Sequence, residues 1–122
     1  MRKVRFADSE DMVSLSKLYQ SQGWESFTEE RIVHLLESSH YMLIEENGVI
    51  IAFLRYLTDD VLTTFIAEIL VDKAFRGQGL GWLLVEEIMN LHPKTRLELI
   101  SEADDFYDHL GFRNVGKGYR FP

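Results

Sequence analysis

The period of the apolar positions changes several times along the chain, and each change predicts an element. Lys3 to Ala7 alternates as a short strand. Met12, Leu15, Leu18 and Tyr19 then recur at helical spacing, with Asp8 or Ser9 as N-cap, and Gln22-Gly23-Trp24 ends that helix. Thr28 offers the cap of a second helix. Glu29 and Glu30 stand in its first turn, Phe27 and Ile32 are placed as a hydrophobic staple, and Ile32, Leu35 and Leu36 form its apolar face. From Tyr41 the period shortens again. Tyr41 to Glu45 and Val49 to Leu57 flank Asn47-Gly48, a strong two-residue hairpin signal. Thr58-Asp59-Asp60 turns the chain once more, and Val61 to Val71 returns, so the middle of the chain reads as a three-stranded antiparallel meander.

The last of these strands runs through Asp72-Lys73-Ala74 into Arg76-Gly77-Gln78-Gly79-Leu80-Gly81 and leaves as a helix. Leu80, Leu83, Leu84 and Ile88 give that helix a buried face, Glu86, Glu87 and Asn90 face outward, and Pro93 closes it. Arg96 to Ile100 is a fifth strand, reached by a crossover that makes it parallel to the strand before the glycines. A short helix from about Ala103 to Leu110 ends at Gly111, and Val115 to Phe121 reads as a last strand with a bulge among Gly116-Lys117-Gly118. The order βααβββαβαβ describes a single α/β (α+β) domain over residues 1–122. Its sheet is mixed, mostly antiparallel, and flanked by helices.

Three glycines at alternate positions before a helix carry the first chemical signal. Without Cβ atoms the backbone turns tightly and aims several N–H groups at one point. The following helix adds unpaired N–H donors and the positive end of its dipole, which together cradle phosphate oxygens. The spacing excludes two common phosphate loops. Gly79 is followed by Leu80 and Gly81 rather than Lys-Ser/Thr, so this is not a Walker A loop. A dinucleotide fingerprint needs G-x-G-x-x-G in an early βαβ unit, whereas here G-x-G-x-G follows several strands.

The loop resembles the acyl-CoA loop of the GNAT superfamily of N-acetyltransferases, Arg/Gln-x-x-Gly-x-Gly/Ala, matched by Arg76, Gly79 and Gly81. A second segment, Phe106-Tyr107-Asp108-His109-Leu110-Gly111-Phe112, is similar to that family's Phe-Tyr-x-x-x-Gly-Phe, with Ala103 in place before it. The resemblance covers nearly the whole chain and implies acetyl-CoA as co-substrate, with no metal. It implies that the strands before and after the crossover splay apart around pantetheine. Backbone groups of Ile69, Leu70 and Val71 then meet the pantetheine amides, and Gly77, Gln78, Gly79, Leu80, Gly81 and Trp82 take the pyrophosphate by their N–H groups. Arg76 is either a charge partner for that phosphate or a solvated loop residue. Relatives often carry Asn three residues before Ala103; Ile100 stands there, so that anchor is missing.

The reaction implied is attack of a neutral primary amine, on a small molecule or a peptide or protein, at the acetyl thioester. Glu68 is the candidate base or a strand carboxylate paired with Arg55. Tyr107 is the candidate acid for the leaving thiolate or a packing residue. A backbone N–H near Ile69 is the candidate oxyanion donor. Trp24 and Phe27, in the connection that often lines the acceptor site in such proteins, are substrate wall or core. The alternative to an enzyme is an acyl-CoA-binding regulatory or partner-binding module of the same fold.

Composition narrows this further. The chain has 122 residues, 46% of them hydrophobic, enough for a single core. There are no cysteines, which removes disulfides and thiol catalysis. His34, His40, His92 and His109 lack metal-like spacing. Thirteen basic against twenty acidic residues give a net charge of −7, which argues against nucleic acid and weakly favours a cationic substrate. With no long apolar run and no signal-peptide pattern, the expectation is a cytoplasmic protein without membrane attachment, with room for a homodimer.

Overall fold

The computed structural model describes all 122 residues. Five strands form one sheet in sequence order: β1 (Arg2–Phe6), β2 (His40–Glu46), β3 (Val49–Thr58), β4 (Thr63–Val71) and β5 (Arg96–Leu99). The first four pair antiparallel, and β5 lies parallel to β4 across the crossover helix. The remaining elements are α1 (Met12–Ser21), α2 (Glu29–Ser38), α3 (Leu80–Leu91) and α4 (Asp104–His109). No helix is long and apolar enough to cross a membrane.

Local chemistry fixes the boundaries. Asp8 caps a single 3-10 turn, Ser9–Asp11, rather than the helix itself, and that turn passes into α1. Thr28 accepts from the Arg31 N–H and starts α2. Asn47 and Gly48 both take left-handed backbone angles (φ 51° and 82°), the geometry of a two-residue hairpin matched to strand twist.

The sheet separates two cores. On one face, Leu15, Leu18 and Tyr19 of α1 and Ile32 of α2 pack against Tyr41, Leu43, Ile50, Phe53 and Leu70. Phe27 joins this cluster, as a staple to Ile32 should. On the other face, Leu80, Leu84, Val85 and Ile88 of α3 cover Met42, Ile44, Ile51, Leu54, Tyr56 and Ile66. Period-two alternation along β2, β3 and β4 feeds both clusters from the same strands.

The last predicted strand does not form. Residues 113–122 carry no regular secondary structure, and Val115, Tyr119 and Phe121 are exposed. Alternating apolar residues make a strand only when a neighbouring edge pairs with them, and β5 is paired solely with β4. The tail instead crosses the end of β5, where a Cβ on Gly118 would lie 3.1 Å from the Ile100 side chain.

Candidate active site

The site begins where two neighbouring strands stop pairing. Pairing of β4 with β5 ends at Ile66 opposite Leu99, while β4 continues to Val71 along β3. A register shift between Arg55 and Tyr56 leaves Ala67 as an extra residue, and such a bulge bends a strand. Past it, one edge of β4 is open. The Asp72 N–H bonds the Ile51 carbonyl at 2.8 Å, and backbone groups alternate sides in an antiparallel pair. The groups of Ile69 and Val71 therefore turn to the open edge, whereas those of Leu70 turn to β3. Leu70, expected to meet pantetheine, instead contributes a buried side chain to the α1–α2 face.

Beyond Val71 the chain makes one 3-10 turn, Lys73–Phe75, capped by Asp72, and enters the glycine loop. Gly77 (φ 79°) and Gly79 (φ 77°) need the left-handed region, which an L side chain adopts only with strain. Gly81 has a different reason. A Cβ there would lie 2.7 Å from Cζ of Phe106, so the third glycine lets the Phe106 ring of α4 lie close, and a larger residue would push that ring aside. The two sequence motifs thus touch. Gly79 is the N-cap of α3 and its carbonyl accepts from the Leu83 N–H, leaving Leu80, Gly81 and Trp82 at the helix start with no acceptor inside the helix.

These parts border one cleft of about 1490 Å³. Of the residues singled out in the sequence, Trp24, Phe27, Glu68, Ile69, Leu70, Val71, Arg76, Gly77, Gly79, Leu80, Gly81, Trp82 and Tyr107 all line it. The side chain of Gln78 does not; its amide oxygen accepts from Arg2 of β1, which also pairs with Glu46. The Arg76 guanidinium is partly engaged, donating to the Val71 carbonyl at 3.1 Å and to Gln22 at 2.8 Å across the cleft.

At the other end, Glu68 and Arg55 form a two-pronged ion pair (Nε–Oε1 2.7 Å, Nη2–Oε2 2.6 Å), both largely shielded at 11% and 14% exposure. Tyr19 donates to Glu68 Oε1 at 2.7 Å and lies 2.9 Å from the Tyr41 hydroxyl, while Arg55 Nη1 reaches Ser39 at 3.3 Å. Burial works against the Arg55 charge, yet the Glu68 carboxylate more than offsets it and raises the guanidinium above its ordinary value. Burial first, then the Glu68 charge, pushes the Tyr19 hydroxyl far upward, and burial lifts Tyr41 to about 12. Phe27 stacks on Tyr19 (3.9 Å, 3°), so it is both core and cleft wall; Trp24, at 37% exposure, stands outside it.

Tyr107 comes from the opposite face of the sheet. Its ring packs edge-on against Phe106 and Phe112, and burial, then the Glu102 carboxylate, raises its hydroxyl above the ordinary tyrosine value. Glu102, His109 and Arg120 also line the cleft, as do Glu25 and Ser26. Sequence reading passed over Tyr19 and Tyr41 as the buried hydroxyls that brace Glu68 from behind the cleft wall. Their one signal was a hydroxyl on an otherwise apolar face.

The open edge of β4, the left-handed glycines and the unpaired helix N–H groups form a continuous polar track, and they suit the amides and diphosphate of a CoA thioester. Comparison with known proteins shows the family. Residues 37–114 match the family model described as acetyltransferase (GNAT) domain. The chain is 28% identical over 93 residues to histone acetyltransferase TAP1 of Glycine max, a match covering 72% of this chain and 40% of that protein. It therefore spans less than half the length of that relative. A GNAT family acetyltransferase from Streptococcus pneumoniae TIGR4 superposes with a TM-score of 0.84 at 20% identity, over 100% of this chain and 98% of the other. Aminoglycoside N-acetyltransferase AAC(6')-Iy in complex with CoA superposes at 0.80 with 13% identity, over 100% and 94%. At such identities these two structures share the fold.

Proposed function

We propose that this chain, which belongs to the GNAT acetyltransferase family, transfers an acetyl group from acetyl-CoA to a primary amine by direct attack. The observation that carries the reading is the open edge of β4 past Ile66, leading without interruption into the glycine loop and the start of α3. Ile69 and Val71 supply backbone groups for the pantetheine amides. Gly77 to Trp82 supply N–H donors for the diphosphate, and Arg76 adds a positive charge beside them. Acetyl-CoA, when bound, brings an acyl thioester that a neutral amine can attack.

The remaining chemistry falls to this chain's side chains. An amine arrives mostly protonated at neutral pH, so its proton must leave before attack. Glu68, directly or through a water, receives it; Trp24 and Phe27 wall the amine in. The Ile69 N–H, turned to the open edge, is the donor for the thioester oxygen as it gains charge. Tyr107, kept protonated by burial and Glu102, has a proton to give the departing thiolate. Glu68 faces the α1–α2 side and Tyr107 the α3–α4 side, so the two approach the gap between β4 and β5 from opposite faces of the sheet.

The test is release of free thiol from acetyl-CoA in the presence of small amines, amino acids and peptides, with calorimetry of acetyl-CoA alone. Thiol release that depends on an amine supports the reading. Tight CoA binding with no turnover on any amine would make the chain an acyl-CoA-binding module.

A further inference from the structure

We propose that Tyr19, acting through Glu68, sets the acceptor site to take its amine as a cation, so that the preferred substrates are primary ammonium compounds with an apolar or aromatic body. This rests on the transferase reading and names how its acceptor is recognised. A carboxylate offers about four lone-pair sites. On Oε1 of Glu68 both are filled, by Arg55 Nε at 2.7 Å and by the Tyr19 hydroxyl at 2.7 Å. On Oε2 one is filled by Arg55 Nη2 at 2.6 Å, and the chain supplies nothing for the other. Because Tyr19 gives its only proton to Glu68, its oxygen must accept from Tyr41 at 2.9 Å. The hydroxyl chain therefore has one direction, Tyr41 to Tyr19 to Glu68.

Tyr19 cannot relax out of this arrangement. It is fully buried, stacked on Phe27 and packed against Phe53 at 4.9 Å. Its hydroxyl closes Oε1, leaving a single open position on a carboxylate that borders the cleft beside Phe27 and Trp24. Three donors fix the Glu68 carboxyl in place, and a carboxyl oxygen with one open site beside aromatic faces suits the N–H donors of an ammonium group. A neutral alcohol of the same shape gains only an ordinary hydrogen bond there. Tyr19 is thus a positioning residue: it touches no substrate but decides which carboxylate oxygen can.

The experiment uses the whole chain and two variants. Tyr19→Phe keeps the stacked ring and removes the hydroxyl. It also strands the buried Tyr41 hydroxyl, so Tyr19→Phe/Tyr41→Phe, which removes both ends of that bond, is measured alongside. In each the acceptor KM is expected to rise at least about threefold, with kcat and the acetyl-CoA Kd little changed. A second readout needs no turnover: 2-phenylethylammonium chloride is titrated while the Trp24 indole N–H is followed by NMR. Its binding is expected to weaken in both variants and to be lost in Glu68→Gln, while 2-phenylethanol leaves the signal in place. Equal binding of ammonium and alcohol, or unchanged KM and probe affinity in the folded variants, overturns the proposal. So does a parallel loss of thermal stability, kcat and acetyl-CoA affinity, which would make Tyr19 a packing residue only. If the probe binds as expected while no amine is acetylated, the transferase reading falls and the cation site stands.

Discussion

The two ends of the cleft are made from different parts of the chain. The end proposed for the cofactor is almost continuous in sequence, Ile69 to Trp82, and most of what it offers is backbone. The end proposed for the acceptor is bordered by Arg55 and Glu68 and braced from behind by the buried Tyr19 and Tyr41, one residue from each of four elements, and what it offers is side chains. A backbone site depends on φ angles and helix position, which tolerate many side chains. A side-chain site depends on the identity of each residue and on the packing that brings them together. The first can be shared by proteins with unrelated acceptors, and the second can be individual. The histone acetyltransferase and aminoglycoside acetyltransferase among the similar proteins are named for different acceptors, in keeping with that division.

The largest effect should come from Tyr107, the proposed proton donor to the leaving thiolate. Tyr107→Phe keeps the aromatic packing with Phe106 and Phe112 and removes the proton donor. Turnover should fall by at least about 100-fold if acetyl transfer limits the rate, with acetyl-CoA affinity nearly unchanged in calorimetry. A fall in thermal stability with a proportionate loss of activity would instead assign Tyr107 to packing.

The cofactor end is broken next. Gly79→Asp should weaken acetyl-CoA binding at least about tenfold, or 1.4 kcal/mol. Space is not the cause, since a Cβ there meets nothing within 4 Å. The left-handed backbone angle and the added negative charge are. Gly79→Ala carries the strain without the charge, so calorimetry on the pair separates the two, and unchanged affinity in both would remove the loop from the diphosphate site.

At the acceptor end, Glu68→Gln should lower turnover while leaving acetyl-CoA affinity alone. The variant also leaves Arg55 shielded without its anion, so some loss of stability is expected. Equal rates would return Glu68 to a purely structural ion pair.

Alkali should have the gentlest effect. Burial lifts Tyr41 and Tyr56 to about 12 and Tyr19 still further, whereas tyrosines in the unfolded chain ionise near about 10. A folded pKa above the unfolded one means stability that is whole below about pH 10 and lost as the pH climbs toward 12. Hydrogen exchange across this window should show α1 and β2 loosening around Tyr19 and Tyr41, and unchanged protection there up to about pH 12 would contradict the raised values of these two hydroxyls.

Much of the fold was legible because local rules and packing agree. Asn47-Gly48 supplies the two left-handed angles its hairpin needs, and Thr28 with Phe27 and Ile32 both caps and staples α2. The failures come where a partner decides. Val115 to Phe121 alternates as a strand should but finds no paired edge, and Leu70, one residue from two open backbone positions, turns its own groups to β3.

The sequence by itself determined the order of elements as far as α4, the parallel crossover and the glycine loop, because spacing and backbone conformation are local properties. Only the tertiary structure showed what the small residue at Gly81 makes room for, since Phe106 approaches it from 25 positions along the chain. It also decided that Glu68 has a single open lone-pair site. Hydrogen bonds among residues 19, 41, 55 and 68 depend on which faces of α1 and the sheet meet, and neither helical nor strand periodicity specifies which hydroxyl will point at which carboxylate.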